Sequence, residues 1–205
     1  MSPNDKIDRF SVAERATHWL VALAFLYAAL TGLSLWSPRL WWLTAVFGGG
    51  DTVRGWHPWG GVLFACFFAV MFRAWRRQMR LDADDRRWLS LAHRYAVHDE
   101  RGLPEAGRFN AGQKALFWMQ AVNAVLLVAS GLVLWWPEAT PRLAREAAVL
   151  LHPLTGLVSI GLLIVHIYMG TAAVPEAFRG MIQGWVKPGL ARSHHPKWYR
   201  EIRPQ

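Results

Sequence analysis

Cysteine is nearly absent from this chain: Cys66 is the only one among 205 residues. A single thiol excludes an internal disulfide, an iron–sulfur cluster ligated by this chain's own cysteines, and the paired-cysteine attachment of a covalent haem. Acidic residues are also few, with 14 Asp and Glu against 23 Lys and Arg, and charged residues together make up only 18%. The polar stretch MSPNDKIDRFSVAERAT precedes the first apolar run. That run is therefore expected to be a retained span and not a removed signal peptide.

Apolar and aromatic residues are what the chain has in excess: 53% are hydrophobic, thirteen are tryptophan, and the mean hydropathy is +0.13. This composition belongs to a membrane protein whose average is lowered by a charged central loop. Four stretches, about His18 to Trp36, Pro58 to Trp75, Ala115 to Trp136 and His152 to Val174, approach the roughly 17 to 25 residues of a bilayer crossing. A helix satisfies its own backbone in lipid, so the expected fold is all-α: one membrane domain over 1–205, a four-transmembrane-helix bundle. Trp36, Trp41, Trp42, Trp56, Trp59, Trp135 and Trp136 mark one interface, and Trp19, Trp75, Trp118 and Trp185 mark the other.

Basic residues set the expected orientation. The N-terminus, the loop 76–114 and the tail 175–205 hold eighteen Lys and Arg, whereas the two opposite loops hold only Arg39, Arg54, Arg142 and Arg145. Both termini are therefore expected in the cytoplasm of a multi-pass membrane protein. The same asymmetry, facing anionic lipid, accounts for the net charge of +9 without invoking nucleic acid.

Four histidines sit at span positions. His152 and His166 are fourteen residues apart in LLHPLTGLVSIGLLIVHIYMG, which on one helix is about 21 Å of rise and about 40° short of four turns. His18 begins the first span and His57 the second. With alternating directions they sort by depth into an outer pair, His57 with His152, and an inner pair, His18 with His166. A single histidine at an interface serves as an anchor. Two pairs at matched depths on different helices match the needs of two stacked haems, each with imidazoles on opposite faces. With no suitable cysteine, such haems are non-covalent. Gly32, Gly60, Gly61, Gly131, Gly156, Gly161 and Gly170 leave room for a macrocycle, and Arg54 and Arg15 stand nearest in sequence to carry the propionates. His93, His98, His194 and His195 fall in the loop and the tail, where solvent exposure is expected. Cys66, Met71, Met119 and Met169 read as packing residues.

The run GRFNAGQKALFW enters the third span with Asn110, Gly112, Gln113 and Lys114 at the membrane surface. Asn110 with Gln113 three residues on has the spacing of a capping box. The same amides and bare glycine suit a quinone carbonyl at the depth of His166.

These segments together, ERATHW, RGWHPWGG, FNAGQKALFW, LLHPLTG, VHIYMG, GMIQGWV and HHPKWYREI, resemble the gamma (cytochrome b) subunit of membrane-bound respiratory formate dehydrogenases over nearly the whole chain. The resemblance implies two haem b groups, the outer one on His57 and His152 and the inner one on His18 and His166. It implies a quinone pocket at Asn110, Gly112 and Gln113 for menaquinone or ubiquinone. It also implies an iron–sulfur (beta) partner and a molybdenum or tungsten catalytic (alpha) partner, with a higher oligomer of that heterotrimer possible. Electrons would enter at the outer haem and leave from the inner one to quinone, while the chain itself does no chemistry on formate. Segments 77–108 and 137–151 carry none of the matching motifs. A dihaem anchor of a hydrogenase or another molybdoenzyme would share these features, and a histidine-lined transporter or proton channel would share the spans alone.

Overall fold

The computed structural model describes residues 6–96, 102–174 and 176–203; His98 lies outside them. Long apolar runs, free of breakers except for two prolines, form four long helices: α1 (Val12–Trp36), α2 (Gly50–Trp75), α5 (Ala111–Trp135) and α6 (Arg142–Tyr168), the last continuing through a π turn at Met169–Ala173. All four are long and apolar enough to cross a membrane. Pro58 lies inside α2 and Pro153 inside α6, each directly after a histidine and each removing one backbone donor from its helix. Between α1 and α2 the chain makes a 3-10 segment, Pro38–Phe47, stopped by Gly48 and Gly49 at φ 88° and 97°, values that favour glycine.

The chain divides into two compact units. One comprises Ala16–Ala74 and Gln120–Val165 and holds the bodies of the long helices. Its interior mixes aromatic contacts, such as Phe25 with Phe64 at 5.5 Å between ring centres, with buried small hydroxyl residues: Thr31, Ser34, Ser130, Thr155 and Ser159. Small residues let membrane helices approach closely, since lipid provides no hydrophobic drive between them. Large apolar side chains such as Leu23, Val125, Leu154 and Ile164 point outward. An outward apolar face is stable only against lipid or another apolar surface.

The other unit comprises Met1–Arg15, Trp75–Met119 and His166–Gln205. Here the loop and tail expected from sequence are themselves structured. Strand β1 (Ile7–Asp8) pairs antiparallel with β2 (Trp185–Val186), Ile7 opposite Val186. Short helices α3 (Ala83–Ser90), α4 (Ala92–Ala96), α7 (Ala177–Gln183), α8 (Pro188–His194) and α9 (Pro196–Ile202) complete it. A core of Ile7, Val186, Leu190, Ala191 and Trp198 joins the two chain ends.

Its charges are interlocked. Arg9 and Arg108 donate reciprocally to each other's backbone carbonyl, and Arg108 also pairs with Glu14 at 2.9 Å, which accepts in turn from Trp75 Nε1 at 3.0 Å. Burial first, and the neighbouring Arg108 second, lower the Arg9 pKa to about 10. The tail lies on the segment before α5: Lys197 N donates to Ala106 O at 3.2 Å, His195 Nδ1 to Gly107 O at 2.8 Å, and Arg200 clasps Glu105.

His195 thus corrects the expectation of solvent exposure, for it is buried and faces Trp198 edge-on. Burial, with Arg9 beside it, lowers its pKa to about 3. An unfolded histidine titrates near 6.5, so below that pH the released tail binds a proton that the docked tail does not. Stability from the neutral ring is fully present above about pH 6.5 and is lost progressively as pH falls toward 3. Proteolysis at Lys197 and Arg200 should accelerate between pH 6.5 and 4.5, and this acceleration should vanish in His195→Gln; an unchanged acid response in that variant would remove His195 as its cause.

Candidate functional site

His57 stands in the third turn of α2 and His152 in the third turn of α6, each fixed in a rigid helix and followed by proline. Their rings lie 6.1 Å apart between centres, at 87° to one another. Each Nδ1 meets a buried hydroxyl on a neighbouring helix: Thr31 Oγ1 at 2.9 Å from His57 and Ser130 Oγ at 3.0 Å from His152. Beside each hydroxyl is a glycine whose absent side chain leaves the ring its space. A Cβ on Gly32 would sit 3.1 Å from His57 Cε1, and one on Gly131 3.2 Å from His152 Cε1.

This geometry fits a haem iron. Metal–nitrogen bonds of about 2.0 Å, with ring centres about 1.1 Å beyond each nitrogen, separate two axial imidazole centroids by about 6 Å. Porphyrin supplies four nitrogens, so two histidines complete the coordination. Among the described residues no group of three or more His, Cys, Asp or Glu could hold a bare metal ion.

The other sequence candidates are placed as follows. His18 lies on α1 with its ring edge-on to Trp19 at 5.3 Å. His166 occupies the last turn of α6. The proposed inner pair is divided between the two units, His18 in the first described and His166 at the start of the C-terminal part of the second. Asn110 and Gln113, in the same unit as His166, form a reciprocal capping box: Gln113 N donates to Asn110 Oδ1 at 2.9 Å and Asn110 N to Gln113 Oε1 at 3.0 Å. Both amide oxygens are engaged in the cap, and the two NH2 groups remain as donors. Gly112 faces the ring of Trp88, 3.5 Å from where its Cβ would stand. Of the cationic candidates, Arg15 donates to the Ile182 carbonyl at 2.5 Å, and Arg54 makes an exposed pair with Asp51 at 3.9 Å. Gly60 packs against Tyr27, where an added Cβ would approach to 2.5 Å, so its smallness serves helix packing.

Sequence reasoning missed Thr31 and Ser130. It also missed the partner of Lys114, which is buried and pairs with buried Asp85 at 2.5 Å. The pair lines a cavity of about 360 Å³ that also takes in Asp82, Asp84, Lys197 and Glu201. A signal for the hydroxyls was present: Thr31-Gly32 before His57-Pro58-x-x-Gly61 is echoed by Ser130-Gly131 before His152-Pro153-x-x-Gly156.

Four membrane-competent helices with two histidine rings brought together among them are the architecture of a membrane cytochrome of the b class. The chain belongs to the prokaryotic cytochrome b561 family, whose model matches residues 9–184, and to the formate dehydrogenase cytochrome b subunits. It is 35% identical to the formate dehydrogenase cytochrome b556(fdo) subunit of Escherichia coli K12 over 207 residues, covering 99% of this chain and 96% of the relative. It is 34% identical to the nitrate-inducible cytochrome b556(Fdn) subunit of the same organism, covering 98% and 94%. The cytochrome b556 subunit of formate dehydrogenase from Haemophilus influenzae Rd is 30% identical, with 98% and 85% covered. Family membership makes the chain a multi-pass membrane protein of electron transport that carries haem b.

Asp85→Ala should destabilise the polar unit by about 3–5 kcal/mol, because it strands the buried Lys114 ammonium. Arg142→Ala, which breaks the exposed Arg142–Glu146 pair, should leave unfolding unchanged. Chemical denaturation in detergent checks both; equal effects would contradict the burial argument.

Proposed function

We propose that this chain is the membrane-anchoring, electron-transfer subunit of a formate dehydrogenase complex, set in the bacterial inner membrane with both termini in the cytoplasm. The observation that carries this reading is the approach of the His57 and His152 rings to 6.1 Å between centres, a separation that would accommodate an iron between them. Full-length similarity to subunits named for formate dehydrogenase supports that enzyme over a hydrogenase as the partner. An iron–sulfur subunit and a molybdenum- or tungsten-containing catalytic subunit follow as the partners that deliver electrons.

His57 and His152 hold the outer haem b, and His18 and His166 the inner one. Bound there, the two groups supply one-electron transfer across the membrane. Each electron moved inward works against about 2.3 kcal/mol per 100 mV of membrane potential, which the fall from formate to quinone must exceed. Quinone reduction takes two electrons and two protons, the latter from the cytoplasm. Asn110 and Gln113 serve it through their free amide NH2 groups, which donate to a quinone carbonyl while the capping oxygens hold them in place. Gly112, whose bare face is already covered by Trp88, borders the pocket between them.

Two variants separate capping from binding. Gln113→Glu and Asn110→Asp keep the oxygens that cap α5 but lose the NH2 donors. Quinone reduction by the purified complex should fall at least tenfold with haem content and stability preserved; turnover equal to the unmodified complex would remove the pocket. His57→Ala or His152→Ala should lower the haem-to-protein ratio from two to one, and a ratio still at two would remove that ligand assignment.

A further inference from the structure

We infer that Thr31 and Ser130 are positioning residues of the outer haem, each fixing the tautomer and the donor strength of one axial histidine. The inference rests on the reading of His57 and His152 as iron ligands. Thr31 Oγ1 lies 2.6 Å from the Tyr27 carbonyl and 2.9 Å from His57 Nδ1. A hydroxyl has one proton, and the carbonyl can only accept, so the short contact commits that proton to Tyr27. The oxygen then accepts from the ring, and His57 carries its proton on Nδ1. Ser130 repeats the arrangement: Oγ donates to the Leu126 carbonyl at 2.6 Å and accepts from His152 Nδ1 at 3.0 Å. In both histidines the lone pair is left on Nε2, the nitrogen an iron needs.

The hydroxyls are themselves held without freedom. Thr31 is 0% and Ser130 4% exposed, so no water competes for either. Gly32 and Gly131, the next residues, keep the space against each Cε1 open. Two helix hairpins, α1 with α2 and α5 with α6, thus present the same three-part device to one centre: hydroxyl, glycine and histidine-proline. The pairing of hydroxyl with imidazole crosses from one helix to the next, so it also fixes the register of each hairpin. A ligating imidazole whose Nδ1–H is hydrogen-bonded donates more electron density to the metal, which favours the ferric state. With both axial bonds so treated, the outer haem is held at a lower potential than unassisted histidines would give.

The test uses the complete complex purified from membranes. Thr31→Val and Ser130→Ala remove the acceptors, while Thr31→Ser and Ser130→Thr keep them. Redox titration followed optically should show the outer haem's midpoint shifted upward in the first two variants and unchanged in the second two, the inner haem acting as the internal reference. Retention of the outer haem against an apo-protein competitor should fall by about ten- to a hundredfold in the acceptor-free variants. Should Thr31→Val fail to accumulate, Ser130→Ala asks the same question on the other hairpin. Identical midpoints and retention for Ser130→Ala and Ser130→Thr would overturn the inference, even with His152→Ala showing one haem lost. If His152→Ala still held two haems, the ligand reading itself would fall and take this inference with it.

Discussion

A polar ring inside an apolar membrane has to be accounted for, atom by atom, and the His57–His152 pair is where this chain concentrates that demand. Neither histidine is left to solvent; each gives its Nδ1 to a buried hydroxyl and turns toward the other ring across 6.1 Å. In lipid an unsatisfied polar group costs several kcal/mol, and the two buried hydroxyls remove that cost at each Nδ1. The glycines beside the hydroxyls leave both rings their space in this one contact. A cytochrome follows from that constraint more directly than from hydropathy, which identifies only spans.

The second unit solves a different problem, that of holding polar chain ends in order. Three capping boxes recur there: Ser11 with Glu14, Asp82 with Asp85, and Asn110 with Gln113. Each satisfies two backbone donors at the start of a helix from within its own first turn. Two of them are then used again. Glu14 pairs with Arg108, and Asp85 pairs with Lys114. The tail, through His195, Lys197 and Arg200, is tied to residues 105–107 immediately before Asn110. Order at the proposed quinone loop is in this way linked to the folding of both chain ends.

Much of this was legible in the residues. Length and composition set the four spans, because lipid thickness and backbone satisfaction allow few alternatives. Helix bounds were less legible: α2 begins at Gly50 and α6 at Arg142, well before their apolar runs. Hydropathy reports depth in lipid, whereas RLAREAAVLL continues as helix on the strength of propensity and the Arg142–Glu146 pair, and GDTVRGW, poor in helix formers, gives no such sign. That His57 and His152 come together could be read from depth and helix phase. The hydroxyl partners could not, since serine and threonine are common in membrane helices and only the packing selects two of them. His195 was misread because histidine in a charged tail carries no local sign of the core made by Ile7, Val186 and Trp198.

The most direct measurement of the central claim is an experimental structure of the haem-loaded complex. The account requires one iron between His57 and His152, bonded to both Nε2 atoms at about 2.0 Å, with the Nδ1 atoms still on Thr31 and Ser130. An iron bound to only one of the two histidines, or no porphyrin between them, would contradict it.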